Sequence, residues 1–115
     1  MSLATDRTAL VNAVDAVAGI NCYSYSPPQL TQGDAWVRWT GHAEGPARGV
    51  FAANWIITVV AGQTLDDAMA FTDTKLATLE DAIYTLVWVT GAIPVDLGTE
   101  STPLYGVQIT AQKES

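Results

Sequence analysis

The 115 residues set twelve carboxylates against five cationic side chains and a single histidine, for a formal charge of −7. A field of that sign repels nucleic-acid phosphates and anionic lipid headgroups, which argues against direct binding of DNA or of a membrane surface. Hydrophobic residues make up 49% and charged residues 15%, a balance suited to one folded domain over residues 1–115 rather than to a disordered chain. Cys22 is the only cysteine, so no intrachain disulfide forms and packing must hold the fold.

Thr5 or Ser2 caps a first helix that runs to about Ala18, with Leu10, Ala13, Val14 and Val17 on one face and Gly19 as its stop. Asp6, Arg7, Asn12 and Asp15 interrupt any apolar run there, so a secretory signal is not expected. Residues 21–25 alternate in character, and Pro27 and Pro28 end whatever strand they form. A polar loop containing Gln32, Gly33 and Asp34 follows.

In residues 35–40 the side chains split by twos, with Ala35, Val37 and Trp39 on one face and Trp36, Arg38 and Thr40 on the other, the pattern of a strand. The glycine-rich stretch 41–49 reads as a connection longer than the about 2–5 residues of most hairpin loops. Residues 50–61 carry no charge, and Trp55, Ile56, Ile57, Val59 and Val60 are apolar on both faces. Such a strand belongs at the centre of a sheet, because an exposed edge of that composition invites aggregation. The run is also shorter than the roughly 20 residues needed to span a bilayer, and the expected site of synthesis is the cytoplasm.

Thr64 followed by Asp67 is a variant capping box, and Asp66 and Asp67 suit the positive end of a helix. The helix is expected to reach about Val87, with Leu65, Met69, Thr72, Leu76, Leu79, Ile83 and Leu86 as its apolar stripe and Asp66, Asp67, Asp73, Glu80 and Asp81 off it. The stripe spans barely three heptads, and packing on a sheet explains it better than a coiled coil. Thr72, Asp73 and Thr74 are poor helix formers and admit a kink or a break. Beyond Gly91, Ile93, Val95 and Leu97 alternate with Pro94 and Asp96, a strand near a sheet edge. After a turn over residues 98–103, Tyr105, Val107, Ile109 and Ala111 alternate with Gly106, Gln108, Thr110 and Gln112, a strand with one buried and one wet face. The order α-β-β-β-α-β-β predicts an α/β fold of the α+β type, with two main helices on one face of a largely antiparallel or mixed sheet.

The residues that bear chemistry do not combine. His42 stands beside Glu44 in the glycine-rich stretch with no nucleophile motif nearby, so a solvated loop histidine is the better reading. Asp66, Asp67, Asp73, Glu80 and Asp81 read as a solvated helix face rather than as cation ligands. Cys22 has no partner at metal-ligand spacing and reads as a small buried hydrophobe. Gly41, Gly45 and Gly49 are not followed by the lysine of a phosphate loop. No catalytic, cofactor or metal site is expected, and the chain is expected not to be an enzyme. Trp36 and Arg38, by contrast, share one strand face and are residue types enriched at interface hot spots, although Trp36 packed under the long helix is an equal alternative. Trp36, Arg38, His42, Glu44, Arg48 and Phe51 are therefore the candidate partner-binding residues.

Several segments, in order, carry a likeness over almost the whole chain. They are Val17-Ala18-Gly19-Ile20-Asn21, then Tyr23, Tyr25 and Pro27, then Gly33-Asp34-Ala35-Trp36-Val37-Arg38-Trp39. The strand around Trp55 and Val60, the long acidic helix, Ile93-Pro94-Val95 and Leu104-Tyr105-Gly106-Val107-Gln108-Ile109-Thr110 complete the series. In this the chain resembles the tail terminator, or tail completion, proteins of bacteriophages with long non-contractile tails. The resemblance implies a structural virion protein at the head-proximal end of the tail, forming a hexameric ring that caps the tail tube, stops its growth and offers the surface for head joining. Its partners would be further copies of itself, the tail tube protein and a head–tail connector protein, with DNA passing through the lumen and no sequence-specific nucleic-acid binding. The alternatives are a head–tail stopper or a tube subunit, a small cytoplasmic ligand-binding or adaptor domain with an apolar pocket between sheet and helices, and a hydrolase using His42.

Overall fold

The computed structural model of the chain describes residues 3–44, 51–98 and 101–114. Helix α1 (Leu3–Asp15) turns Asp6, Leu10 and Val14 inward. It stops at Asp15, short of Ala18, because tight turns from Val17 to Val14 and from Ile20 to Val17, both 3.1 Å, carry the chain to Gly19 at φ 81°. The Asp15 carboxylate then accepts the backbone N–H of Cys22 at 2.9 Å and aims the chain into strand β1 (Asn21–Tyr23).

Strand β1 is shorter than the alternation of residues 21–25 suggests, and it pairs in parallel with strand β2 (Asp34–Glu44), Asn21 opposite Asp34. Parallel neighbours are usually joined by a crossover of about a dozen residues or more, most often a helix; here residues 24–33 make the return with none. Asp34 receives the Thr31 N–H and hydroxyl at 3.0 and 3.1 Å, and Gln32 Nε2 donates to the Ala61 carbonyl at 2.7 Å.

Strand β2 runs past Thr40 to Glu44, so residues 41–44 are strand and not loop; the remainder of the expected connection, 45–49, lies outside the described residues. A register shift between Trp39 and Gly41 makes this possible, because Thr40 is an extra residue and Gly41 takes φ 133°. Strand β3 (Phe51–Gly62) lies inside the sheet, flanked by β2 and by the strand Tyr105–Glu114, as its uncharged sequence requires. Strands β4 (Trp88–Asp96) and β5 (Tyr105–Glu114) complete a five-stranded mixed sheet ordered β1-β2-β3-β5-β4.

Helix α2 (Leu65–Ile83) begins as its sequence predicts, with Thr64 Oγ1 accepting the Asp67 N–H at 3.2 Å. It is continuous through residues 72–74: the Thr72 and Thr74 hydroxyls donate to the carbonyls of Ala68 and Ala70 at 2.8 and 2.9 Å, so these poor helix formers bond back into the helix. The helix ends at Ile83 rather than Val87, since Leu86 and Val87 both donate to the Ile83 carbonyl in a turn that feeds β4.

Both helices cover one face of the sheet. Beneath them, Leu10, Val14, Val37, Trp55, Ile57, Leu79, Ile83 and Ile109 form the heart of a single core, and Cys22 is buried with them. The helices therefore occupy one face of an α+β fold, as the element order predicts. The described residues measure 46 × 27 × 25 Å, and among them no helix is long and apolar enough to cross a membrane.

Candidate interaction surfaces

The period of two along β2 decides where its aromatic residues go. Ala35 and Val37 enter the core beneath the helices, so Trp36 and Arg38 project from the opposite face of the sheet. Trp36 therefore does not pack under the long helix. It is half-buried, in a cross-strand row formed with Thr58, Gln108 and Ile93, while Arg38 is exposed opposite Ile56. No hydrogen bond or ion pair engages the Arg38 guanidinium among the described residues.

The bulge at Thr40 resets the pattern. Trp39 pairs with Trp55 and His42 with Ala53, both of them core residues, so Trp39 and His42 lie on the helix side. Their rings meet edge to face, with centroids 5.3 Å apart. His42 is thus an exposed strand residue against an indole, not a loop residue beside Glu44, and it lies on the face opposite Trp36 and Arg38. Glu44 and Phe51 pair through their backbones at the far end of the hairpin, and Arg48 lies outside the described residues. Of the six candidates, only Trp36 and Arg38 are shown to share a surface.

A second surface was concealed in the α2 stripe. Its C-terminal half packs, with Leu79 and Ile83 buried, but its N-terminal half stands away from β4 and β5, leaving Leu65 58% and Met69 57% exposed. The gap is a cleft of about 340 Å³ floored by Pro94, Tyr105 and Val107. Its charged lining residues are Asp73 and Asp96. The apolar period was visible in the sequence; the separation between helix and edge strand was not.

Arg7, from α1, lies over the Tyr25 ring at 4.8 Å and the Trp55 ring at 5.7 Å and donates to the Tyr25 hydroxyl at 3.0 Å. Two buried donors in this cluster, Arg7 Nε and Trp55 Nε1, meet no acceptor among the described residues. Burial pushes the Cys22 thiol up to about 12, and the nearby Asp15 carboxylate raises it further than the Tyr23 backbone lowers it. A thiol held protonated in this way is a poor nucleophile.

Asp66, Asp67, Asp73 and Asp81 are exposed along α2, and Glu80 is half-buried. Among the described residues no group of His, Cys, Asp and Glu converges to hold a metal ion. These surfaces offer apolar area, one unengaged guanidinium and carboxylates, groups of the kind found in protein–protein contacts. No protein-family model matches the chain, and no curated protein matches it significantly.

Proposed function

We propose that the chain is a structural, non-enzymatic subunit of a phage tail terminator. In this reading copies assemble into a ring of six that caps the tail tube, ends its polymerisation and presents the surface to which the head-side connector binds. The observation that carries the reading is the amount of apolar surface left uncovered on so small an acidic domain. Tyr25, Leu65, Met69, Tyr84, Trp88 and Ile93 are each more than half exposed, and two of them, Leu65 and Met69, stand side by side on one cleft. Contiguous exposed apolar surface of this kind marks interaction sites. The charge of −7 also suits a conduit through which DNA slides without adhering. Negative-stain microscopy and mass measurement under assembly conditions should show rings that bind the tips of purified tail tubes. A protein that stays monomeric and ignores tubes overturns the reading, and stacked rings would make it a tube subunit instead.

The cleft favours a second reading, a small ligand-binding domain, since about 340 Å³ falls within the range of small-molecule sites. Thermal unfolding with a metabolite panel tests it, the expected outcome being a shift of several degrees for one chemical class and a monomer throughout.

A further inference from the structure

We propose that the α2–β4 cleft receives a second copy of this chain, which enters with its Trp36–Arg38 face, so that subunits join head to tail. The inference rests on the ring reading above and specifies which surfaces meet.

The cleft sets the chemistry of its occupant. Leu65 and Met69 continue the stripe that buries Leu79 and Ile83 about three to five turns further on, but no described residue covers more than about half of either side chain. The charged residues lining the cleft are carboxylates, Asp73 and Asp96. An occupant must therefore bring an apolar group with a cation beside it.

The chain's own cations leave one donor for that role. Lys113 is tied to Asp6 at 2.7 Å, Lys75 donates to the Ala18 carbonyl at 2.7 Å, and Arg7 lies over Tyr25 and Trp55. Among the described residues that leaves Arg38, exposed and unengaged, with Trp36 two residues away on the same face. Tryptophan and arginine are both residue types enriched at interface hot spots.

The two surfaces also lie apart. Arg38 is on β2, on the face away from the helices; the cleft lies under α2 at β4, across β3 and β5. A contact between different patches is heterologous, the type that makes a ring where its rotation closes and a filament where it does not. Simple strand addition at the β4 edge is obstructed, because Pro94 has no N–H to donate and the register shifts between Val89 and Gly91. Side chains entering the cleft avoid that obstacle.

The test uses Arg38→Glu, which disables the face, and Met69→Arg, which disables the cleft; both positions are exposed, and circular dichroism verifies folding. In sedimentation velocity and native mass spectrometry, wild-type protein associates, and each variant alone weakens association by about 30-fold or more. An equimolar mixture of the two forms heterodimers and nothing larger, because one live face and one live cleft remain. If wild-type protein forms rings and either variant does so equally well, the cleft contact is wrong while the ring reading stands. A wild type that never associates, even with tubes, overturns both. So does a monomer whose cleft is instead stabilised by a small molecule or a basic peptide, with the effect lost in Met69→Arg.

Discussion

Lys113 reaches back 107 residues to Asp6 and places its ammonium 2.7 Å from a carboxylate that is only 2% exposed. Removing the cation strands that carboxylate, so Lys113→Met should cost about 3 kcal/mol, the low end for a broken buried pair because Lys113 is itself partly exposed. Asp6→Leu combined with Lys113→Met should recover most of the loss, since no buried charge is then left unpaired; urea unfolding at neutral pH measures both. Cys22 gives a prediction in pH. Its thiol shifts from 9.0 to about 12 on folding, so below 9 both states keep the proton and the thiol contributes no slope. Between 9 and about 12 the unfolded chain releases a proton that the folded chain retains, and stability falls as pH rises. Cys22→Ala should show a shallower alkaline decline than the wild type, and native Cys22 should resist a thiol reagent that labels it readily in denaturant.

At the scale of elements, the parallel β1–β2 pair depends on one glycine. Gly33 has φ 93°, and a Cβ there would collide with the Gly19 carbonyl oxygen. The Gly33 backbone meanwhile accepts from Asn21 and donates to the Val60 carbonyl, both at 2.9 Å. Gly33→Ala should therefore destabilise by about 3 kcal/mol or more, combining unfavourable φ with backbone overlap, and thermal unfolding should show the loss. How legible each element was follows from the range of the forces that make it. Thr64 with Asp67 marked the start of α2 because a cap is decided within four residues, and the alternation of Tyr105, Val107, Ile109 and Ala111 gave β5 because one buried face imposes it. The extension of β2 through His42 was hidden, since a bulge at Thr40 is stabilised by pairing with β3 and leaves no mark on the local period. The direction of β1 was hidden for the same reason: its partner comes through a loop closure at Gly33. The α2 stripe announced an apolar face, but whether a strand lies near enough to cover Leu65 and Met69 is a tertiary distance.

For the molecule as a whole, charge gives the clearest expectation. With a net −7 and with Lys113 and Lys75 already engaged, the protein should not retard duplex DNA in a gel even at low salt, where phosphate contacts are strongest. A shift under those conditions would remove the argument for a non-adhesive conduit. The candidate face shows the same division between local and tertiary information. Trp36 and Arg38 share a surface by strand period alone, whereas His42 crosses to the other side because of one inserted residue.

The sheet order has a consequence for how the protein is made. Strand β5, the last of the described strands, lies between β3 and β4 and brings Val107, Ile109 and Ala111 to the core. Synthesis proceeds from the amino end, so both helices and four strands leave the ribosome before the strand that joins the two halves of their sheet. Until then β3 and β4 have no partner between them, Asp6 awaits Lys113, and the chain exposes an uncharged strand of high aggregation tendency. A nascent chain stalled before residue 105 should be captured by chaperones and cleaved readily by protease, and protection should appear in a single step once β5 is free to insert.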